Sequence, residues 1–294
     1  MKPTARHLWA FLLCTLGSFG VCLAAPPTDE ALAAAVDTIA ADALAKPGGA
    51  GLSVAVWRKD HFVVAKGYGL AEAEHEARAD ADTMFRIGSI TKQFTAAAIM
   101  KLVEQGKVGL DESITKYLPT YNTQGRLITV RHLLTHTSGI KSYTELAKVM
   151  REMPEHTFKD AELVALFQDE PLAFEPGTKF AYCNSGYYLL GMIVKAVSGK
   201  DYCSFLQDEF FTPLKLERTR CDSNERLIKN RAQGYRLVGD KIANDQMMSM
   251  QTPGAAGMLI SSARDLVTWA SLLESGKVVS SESYKQMCTP FELA

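Results

Sequence analysis

The sequence Ser89-Ile90-Thr91-Lys92 opens an amphipathic helix, and Tyr182-Cys183-Asn184 follows far downstream, in a turn before another helix. These two stretches contain a hydroxyl group, an amine one helical turn away from it, and a phenol. Because residues three apart on a helix share a face, the Lys92 amine can approach the Ser89 hydroxyl. Such a set can activate a serine without a histidine. Together, the two stretches predict that Ser89 is a nucleophile.

The Ser-x-x-Lys pattern is weak alone, since the chain also contains Ser113…Lys116 and Ser138…Lys141. A capping serine followed by a solvated lysine explains most isolated copies. The Ser113 copy lies in a short polar segment before a proline, and a glycine interrupts the Ser138 copy. Only Ser89 precedes a long helix with an apolar face. This context favours Ser89, with Lys92 as its base once burial lowers the pKa of the amine.

The Tyr-x-Asn pattern has two interpretations. Alternate residues in an extended or tightly turned segment point to one side, so Tyr182 and Asn184 can reach a common site. There, Tyr182 would relay a proton between Ser89 and a leaving group, and Asn184 would orient Lys92 or bind a substrate amide. The plainer interpretation makes Tyr182 a core aromatic residue and Asn184 the cap of the next helix.

The sequence gives no sign of a metal or an organic cofactor. His132 and His136 have the spacing of metal ligands on a helix, but the glutamate of the His-Glu-x-x-His zinc pattern is missing between them. The chain also lacks a Gly-x-Ser-x-Gly elbow and a phosphate-binding loop. These absences argue against a zinc hydrolase, an α/β-hydrolase and a nucleotide-dependent enzyme.

The composition excludes other classes of function. The 294 residues are 47% hydrophobic, which is enough to bury a substantial core in one large domain or two small ones. A net charge of -1 provides no basic surface for nucleic acid. After the N-terminal segment, no apolar run is long enough to span a bilayer.

Residues 1–24 have the pattern of a signal peptide. Lys2 and Arg6 precede an apolar stretch, and a small-x-small site ends at Ala24. An uncleaved membrane anchor or a lipid anchor at Cys22 is the alternative. We expect cleavage after Ala24, which would place the mature protein, residues 25–294, in a bacterial periplasm or outside the cell.

Four cysteines remain after the predicted cleavage, namely Cys183, Cys203, Cys221 and Cys288. They lack the paired spacing of a zinc site. An oxidising compartment permits a disulfide among them, and Cys203–Cys221 is the most plausible pair.

Hydrophobic periodicity predicts a helix and an antiparallel hairpin, then a long helical stretch, then mixed segments. The predicted helices are 29–45, the helix that begins at Ser89 and stops at Gly106, 130–135, 161–168, 185–198 and 263–273. The predicted strands of the hairpin are 52–57 and 62–65. This order fits an α+β fold in which a mostly helical subdomain, residues 93–250, is inserted into a sheet-bearing one.

From about residue 31 onward, the chain resembles the superfamily of serine β-lactamases and penicillin-binding proteins. The resemblance is greatest to its class C-like branch, which also contains esterases, D-aminopeptidases and D,D-carboxypeptidases. The segments that carry it are FRIGSITK (85–92), ITVRHLLTHTSGI (128–140), FEPG (174–177), FAYCNSGY (180–187) and AGMLISSARDL (256–266).

The resemblance implies a fold, a mechanism and a range of substrates. The implied fold is an antiparallel sheet flanked by helices, with an all-helical lobe and the site between them. Ser89 would be acylated, Lys92 and Tyr182 would share the acid–base work, and Asn184 would contact substrate. The implied substrates are small esters, β-lactams or peptides, hydrolysed through an acyl-enzyme.

One departure from the family pattern concerns its third motif, Lys-Thr-Gly or His-x-Gly on a strand beside the nucleophile. Nothing after Leu266 resembles it, so we expect a truncated reading frame in which the C-terminal strands are missing. That strand would supply one N–H of the oxyanion hole, and the other would come from Ser89. The alternatives are a catalytically silent protein that recognises cell-wall peptides and an inactive fragment.

Overall fold

The computed structural model describes residues 26–246 and 248–293, so the predicted signal peptide lies outside the described residues. The helices of this part are α1 (Asp29–Leu44), α2 (Thr91–Glu104), α3 (Val130–Leu134), α4 (Ala147–Glu152), α5 (Asp160–Phe167), α6 (Asn184–Ser198), α7 (Tyr202–Leu206), α8 (Ala263–Glu274) and α9 (Ser281–Cys288). The strands are β1 (Gly51–Arg58), β2 (His61–Glu72), β3 (Ala77–Arg78), β4 (Phe85–Arg86), β5 (Arg220–Cys221), β6 (Tyr235–Val238), β7 (Lys241–Asn244) and β8 (Leu259–Ser261).

The predicted hairpin is confirmed as β1 and β2, which pair antiparallel with Ala55 opposite Ala65. β3 extends this sheet beside β2, while α1 packs on β2 and α8 packs on β1. A second antiparallel sheet has the order β4-β8-β5, and β6 pairs with β7. Helices and open antiparallel sheets together confirm the predicted α+β class.

Helix α2 connects the sheet side of the molecule to its helical side. Its apolar face is buried, and Phe94 stacks on Trp269 of α8 with ring centroids 4.1 Å apart. Other residues of α2 contact α6 and α7. The predicted stop is confirmed, since Gly106 has a φ of 66° and the helix ends just before it.

The helices next to the site begin and end where the sequence indicates. Thr129 caps α3 by accepting the N–H of His132, whose Nδ1 accepts the N–H of Thr129 in return. Helix α6 ends at Gly199, which has the left-handed conformation that glycine adopts without strain. Helices α3 and α6 pack against each other.

The stretch predicted as mostly helical, residues 93–250, is helical only in its first part. Helices α3 to α7 and the π turn Gln207–Phe211 follow α2, but the rest of this stretch contains turns, irregular chain and the short strands β5, β6 and β7. Those strands are only two or four residues long, too short to give a clear alternation of apolar and polar residues. The sequence left the disulfide state of the cysteines open, and the structure has a disulfide between Cys203 and Cys221, the most plausible pair, which ties α7 to β5. No helix in the described residues combines the length and the apolarity needed to cross a membrane.

Candidate active site

Ser89 lies in a single 3₁₀ turn, Gly88–Ile90, between β4 and α2. Backbone and side-chain bonds hold this turn against β8. The N–H of Ile87 donates to the carbonyl of Leu259 at 3.0 Å, and the N–H of Leu259 donates to Thr91 Oγ1 at 3.1 Å. Gly88 has a φ of 50°, a conformation in which a side chain is strained. The candidate nucleophile Ser89 therefore lies in a sharp turn that hydrogen bonds fix against β8.

Lys92 is buried, with only 7% of its surface exposed. Its Nζ lies 3.2 Å from Ser89 Oγ, 2.8 Å from Asn184 Oδ1 and 2.8 Å from the carbonyl oxygen of Ala256. Burial lowers the pKa of the Lys92 amine, and the nearby Tyr182 oxygen opposes that shift in part. The face of the Tyr182 ring also lies close, with its centroid 4.7 Å from Nζ.

The hydroxyl of Tyr182 lies next to Ser89, the candidate nucleophile. The phenol donates a hydrogen bond to Ser89 Oγ at 2.6 Å. Tyr182 is 46% exposed, so its alternative interpretation as a core aromatic residue is wrong. The hydroxyl of Ser89 thus meets both the amine of Lys92 and the phenol of Tyr182.

Asn184 is the first residue of α6 and not its cap, so that alternative is also wrong. The cap is Cys183, whose sulfur accepts the N–H of Gly186 at 3.4 Å. The Asn184 side chain accepts from Lys92 and donates to Thr144 Oγ1 at 3.1 Å. Its N–H donates to Ser142 Oγ at 3.1 Å. Neighbours in the 142–144 turn therefore fix the amide with its oxygen toward Lys92.

The sequence analysis missed three contributors to this site: Ser142, Thr144 and the carbonyl of Ala256. Ala256 ends a 3₁₀ turn, Gly254–Ala256, that packs closely on α6. A Cβ on Gly191 of α6 would lie only 2.5 Å from the Cβ of Ala255. Thr95 of α2 donates to the carbonyl of Ala255 at 2.7 Å, which holds the turn from the other side.

The two other Ser-x-x-Lys copies form no comparable pair. Lys116 forms an ion pair with Glu112, and Ser113 caps a short 3₁₀ turn. Lys141 pairs with Glu145, and the Ser138 hydroxyl accepts the N–H of Ile140. Their lysines bind carboxylates, as solvated lysines commonly do.

The two histidines considered as metal ligands have other contacts. His132 completes the capping box of α3, and His136 Nδ1 accepts the N–H of Cys183 at 3.0 Å. Burial and the charge of Lys92 lower the pKa of His136 to about 4. In the described ranges, no group of three His, Cys, Asp or Glu side chains is placed to hold a metal ion.

A cavity of about 780 Å³ adjoins Lys92, between α2, α3 and the chain from α9 onward. Gln93, Arg131, Tyr187 and Phe291 contribute to its lining. Its volume is within the range of small-molecule sites.

The sequence model of the family described as Beta-lactamase matches residues 36–292. The chain is also similar to Protein flp of Staphylococcus aureus (strain MW2), with 30% identity over 240 residues, which are 80% of this chain and 47% of that protein. It spans about half the length of the curated relatives it matches.

Two solved structures have the same fold. The octameric penicillin-binding protein homologue from Pyrococcus abyssi has a TM-score of 0.77 and 30% identity, over 90% of this chain and 61% of that one. The D-amino acid amidase from Ochrobactrum anthropi SV3, complexed with L-phenylalanine amide, has a TM-score of 0.77 and 27% identity, over 86% and 73%. The chain belongs to the beta-lactamase family, within the superfamily of serine β-lactamases and penicillin-binding proteins.

Proposed function

We propose that this protein is a serine hydrolase that transfers an acyl group to Ser89 and then to water. One observation carries the proposal: Ser89 Oγ is within hydrogen-bonding distance of both Lys92 Nζ, at 3.2 Å, and the Tyr182 hydroxyl, at 2.6 Å. A serine needs a base to attack a carbonyl at neutral pH, and here two groups are in reach.

The hydrogen bonds of Lys92 support the proposed role of this residue as the base. An ammonium group has three N–H donors, whereas a neutral amine has two donors and one lone pair. Asn184 Oδ1 and the Ala256 carbonyl are fixed acceptors that can take two of these hydrogens. The lone pair of the neutral amine then faces Ser89 and can take its proton. Burial favours this state, because it lowers the pKa of the amine.

The proton can then pass from Lys92 to the leaving group through Tyr182. As Ser89 Oγ bonds to the substrate carbonyl carbon, its proton goes to Lys92 Nζ. When the carbon–leaving group bond breaks, Tyr182 donates its hydroxyl proton to the departing atom and recovers a proton from Lys92, whose amine lies near the Tyr182 oxygen. The backbone N–H of Ser89 is available to the developing oxyanion. Water would follow the same path in reverse to release the acid.

The rim of the site favours substrates with an apolar group next to the carbonyl. Ile90, Phe180 and Tyr182 are apolar or aromatic residues that remain 44%, 64% and 46% exposed. A ligand that covers these exposed side chains removes apolar surface from water, which favours its binding. We therefore propose small esters and D-amino acid amides or peptides as substrates, ahead of β-lactams. The amide class is supported by the similarity to the D-amino acid amidase.

We also propose that the protein is exported and works in an oxidising compartment. The disulfide Cys203–Cys221 supports this location, because disulfides persist mainly outside the reducing cytosol.

Covalent labelling tests the proposal directly. The full chain would be treated with a fluorophosphonate, and in parallel with a fluorescent penicillin, and the labelled peptide would be identified by mass spectrometry. We expect a single label on Ser89, which Ser89→Ala abolishes. Ser113→Ala, in the other copy of the same tetrapeptide, is the matched control and should leave labelling unchanged. A folded protein that neither probe labels would refute the proposal, and labelling without ester turnover would indicate a binding protein.

A further inference from the structure

We propose that His136 is a positioning residue that clamps the backbone on both sides of Tyr182, so that the phenol stays on Ser89. The inference rests on the proposed function, since it gives Tyr182 a role in proton transfer. His136 would act through Tyr182, because its carbonyl oxygen and its imidazole contact the turn that carries the phenol.

Two hydrogen bonds form the clamp. The N–H of Ala181 donates to the main-chain carbonyl of His136 at 2.9 Å. The N–H of Cys183 donates to the imidazole Nδ1 of the same residue at 3.0 Å. These amides immediately precede and follow Tyr182, so one histidine fixes the chain on either side of it. Because a short irregular segment is held at two such points, the direction of the Cα–Cβ bond of Tyr182 is fixed relative to Ser89.

The imidazole also restricts the orientation of the phenol ring. The ring of His136 contacts the rings of Tyr182 and Tyr187, with centroid distances of 4.6 Å and 5.0 Å and interplanar angles of 34° and 33°. Phe180 meets the imidazole edge-on at 5.8 Å. The Tyr182 ring is therefore packed on the imidazole while its hydroxyl points to Ser89.

His136 supplies both acceptors, one from its backbone and one from its side chain, while its backbone is in an unusual conformation. Its φ is 58°, in the left-handed region that only a few per cent of non-glycine residues adopt. Such a conformation persists where surrounding contacts fix it, and it is commoner near functional sites. Asparagine and histidine tolerate it better than most residues, which makes a clean substitution series possible.

The clamp requires a neutral imidazole. Nδ1 must present a lone pair to the Cys183 N–H, so the ring proton is on Nε2. The ionisable groups around the ring are Lys92 of α2, Tyr182 and Cys183 of the turn, and Tyr187 of α6. Burial and the positive charge of Lys92 lower the pKa of His136 to about 4, so the ring remains an acceptor at neutral pH.

Two substitutions distinguish the role of His136 as a hydrogen-bond acceptor from a role in packing alone. His136→Gly removes the acceptor and tolerates the positive φ, whereas His136→Asn keeps an amide oxygen close to the position of Nδ1. With a chromogenic ester, we expect His136→Gly to lower kcat about 100-fold, since an aligned acid or base contributes about 10² to 10⁴. KM should change less than threefold, and His136→Asn should recover most of kcat.

A double-mutant comparison identifies the route of the effect. In a Tyr182→Phe background no phenol hydroxyl remains to be positioned, so His136→Gly should lower kcat less than threefold further. An equal loss in both backgrounds, or equal activities of the Gly and Asn variants, would overturn the proposal. If the unsubstituted protein does not label at Ser89, the proposed function itself has failed.

The unsubstituted protein provides a test that needs no turnover and no folded variant. NMR titration of the histidine ring should give a midpoint near pH 4 for His136, and the ring signals of Tyr182 should move with the same midpoint. A His136 midpoint between 6 and 7, or Tyr182 signals that do not respond, would contradict the clamp.

Discussion

Asn184→Asp tests whether the Lys92 amine is the base, because it changes the charge beside that amine and little else. The two side chains have the same shape. In the native protein Asn184 Oδ1 lies 2.8 Å from Lys92 Nζ, and Nδ2 lies 3.1 Å from Thr144 Oγ1. An aspartate can keep both contacts, since Thr144 can turn its hydroxyl proton toward the new carboxylate. The substitution thus places a negative charge in contact with the amine without creating a cavity.

The expected size of the effect follows from that distance. At an effective dielectric constant of about 20, unit charges 2.8 Å apart attract with about 6 kcal/mol. Desolvation of the new carboxylate offsets much of this attraction. A neighbouring opposite charge typically moves a pKa by about 1 to 3 units, which is about 1.4 to 4 kcal/mol. We expect the pKa of Lys92 to rise by this amount.

The sign of the pH dependence is fixed by the role of Lys92. Burial lowers its pKa, so in the native protein the neutral amine is present at a lower pH than for a free lysine. The rate of acylation should therefore increase as the pH rises through the pKa of Lys92. Asn184→Asp should move that rise to higher pH by about 1 to 3 units, so that below both midpoints the rate falls about 10- to 1,000-fold.

The assay is the rate of fluorophosphonate labelling of Ser89, measured from pH 5 to pH 10. Ser113→Asp is the control, since aspartate is accepted at a capping position and adds the same charge elsewhere. Its pH profile should match that of the native protein. If Asn184→Asp leaves the profile unchanged while the protein stays folded, Lys92 is not the base and the mechanism proposed above is wrong.

Three further results are expected. Tyr182→Phe should lower kcat for a chromogenic ester about 10²- to 10⁴-fold, with a melting temperature close to that of the native protein because the side chain is 46% exposed; comparable kcat values would contradict the proton relay. Phe94→Ala should lower the free energy of unfolding by about 3 to 5 kcal/mol in denaturant titrations, because Phe94 is fully buried against Trp269; a loss below about 1 kcal/mol would contradict this packing. Replacing both cysteines of Cys203–Cys221 by serine should cost roughly 3 kcal/mol of stability for a bridge that spans 18 residues, and a reducing agent should then have no further effect.

Local signals predicted the elements that frame the site. The hairpin β1–β2, the stop of α2 at Gly106, the Thr129 cap of α3 and the end of α6 at Gly199 all depend on residues close in sequence. Turn residues, capping side chains and the period of hydrophobic residues each involve only a few neighbouring positions. One sequence is therefore enough to detect them. The short strands β5 to β7 carry too few residues for such a period, and the helical prediction for 93–250 failed there.

The partners that define the state of Lys92 could not be predicted in the same way. One is the main-chain carbonyl of Ala256, which any residue at that position would carry. Others are Ser142 and Thr144, which hold Asn184 but look like ordinary turn residues in the sequence. The contact of Ala256 follows from the packing of the turn Gly254–Ala256 against α6, where the close approach needs Gly191. Ser142 and Thr144 reach Asn184 because the turn around Tyr143 packs on the same helix. The residue types in the sequence therefore indicate Ser89 and Lys92 as candidates, whereas the surroundings of the Lys92 amine depend on how the backbone packs.

The two copies of Ser-Ile-Thr-Lys in this chain make the same point as an internal control. At 89–92 the tetrapeptide leads into a buried helix, where Lys92 meets a hydroxyl, an amide oxygen and a carbonyl but no recorded carboxylate. At 113–116 the identical residues form a short 3₁₀ turn, where the Lys116 side chain is 56% exposed and pairs with Glu112. A carboxylate partner and water stabilise an ammonium, whereas burial away from water disfavours its charge. Only the first copy therefore gives its lysine a reason to lose its proton, and the proposed role of Lys92 as the base for Ser89 depends on the surroundings of the motif as much as on the motif itself.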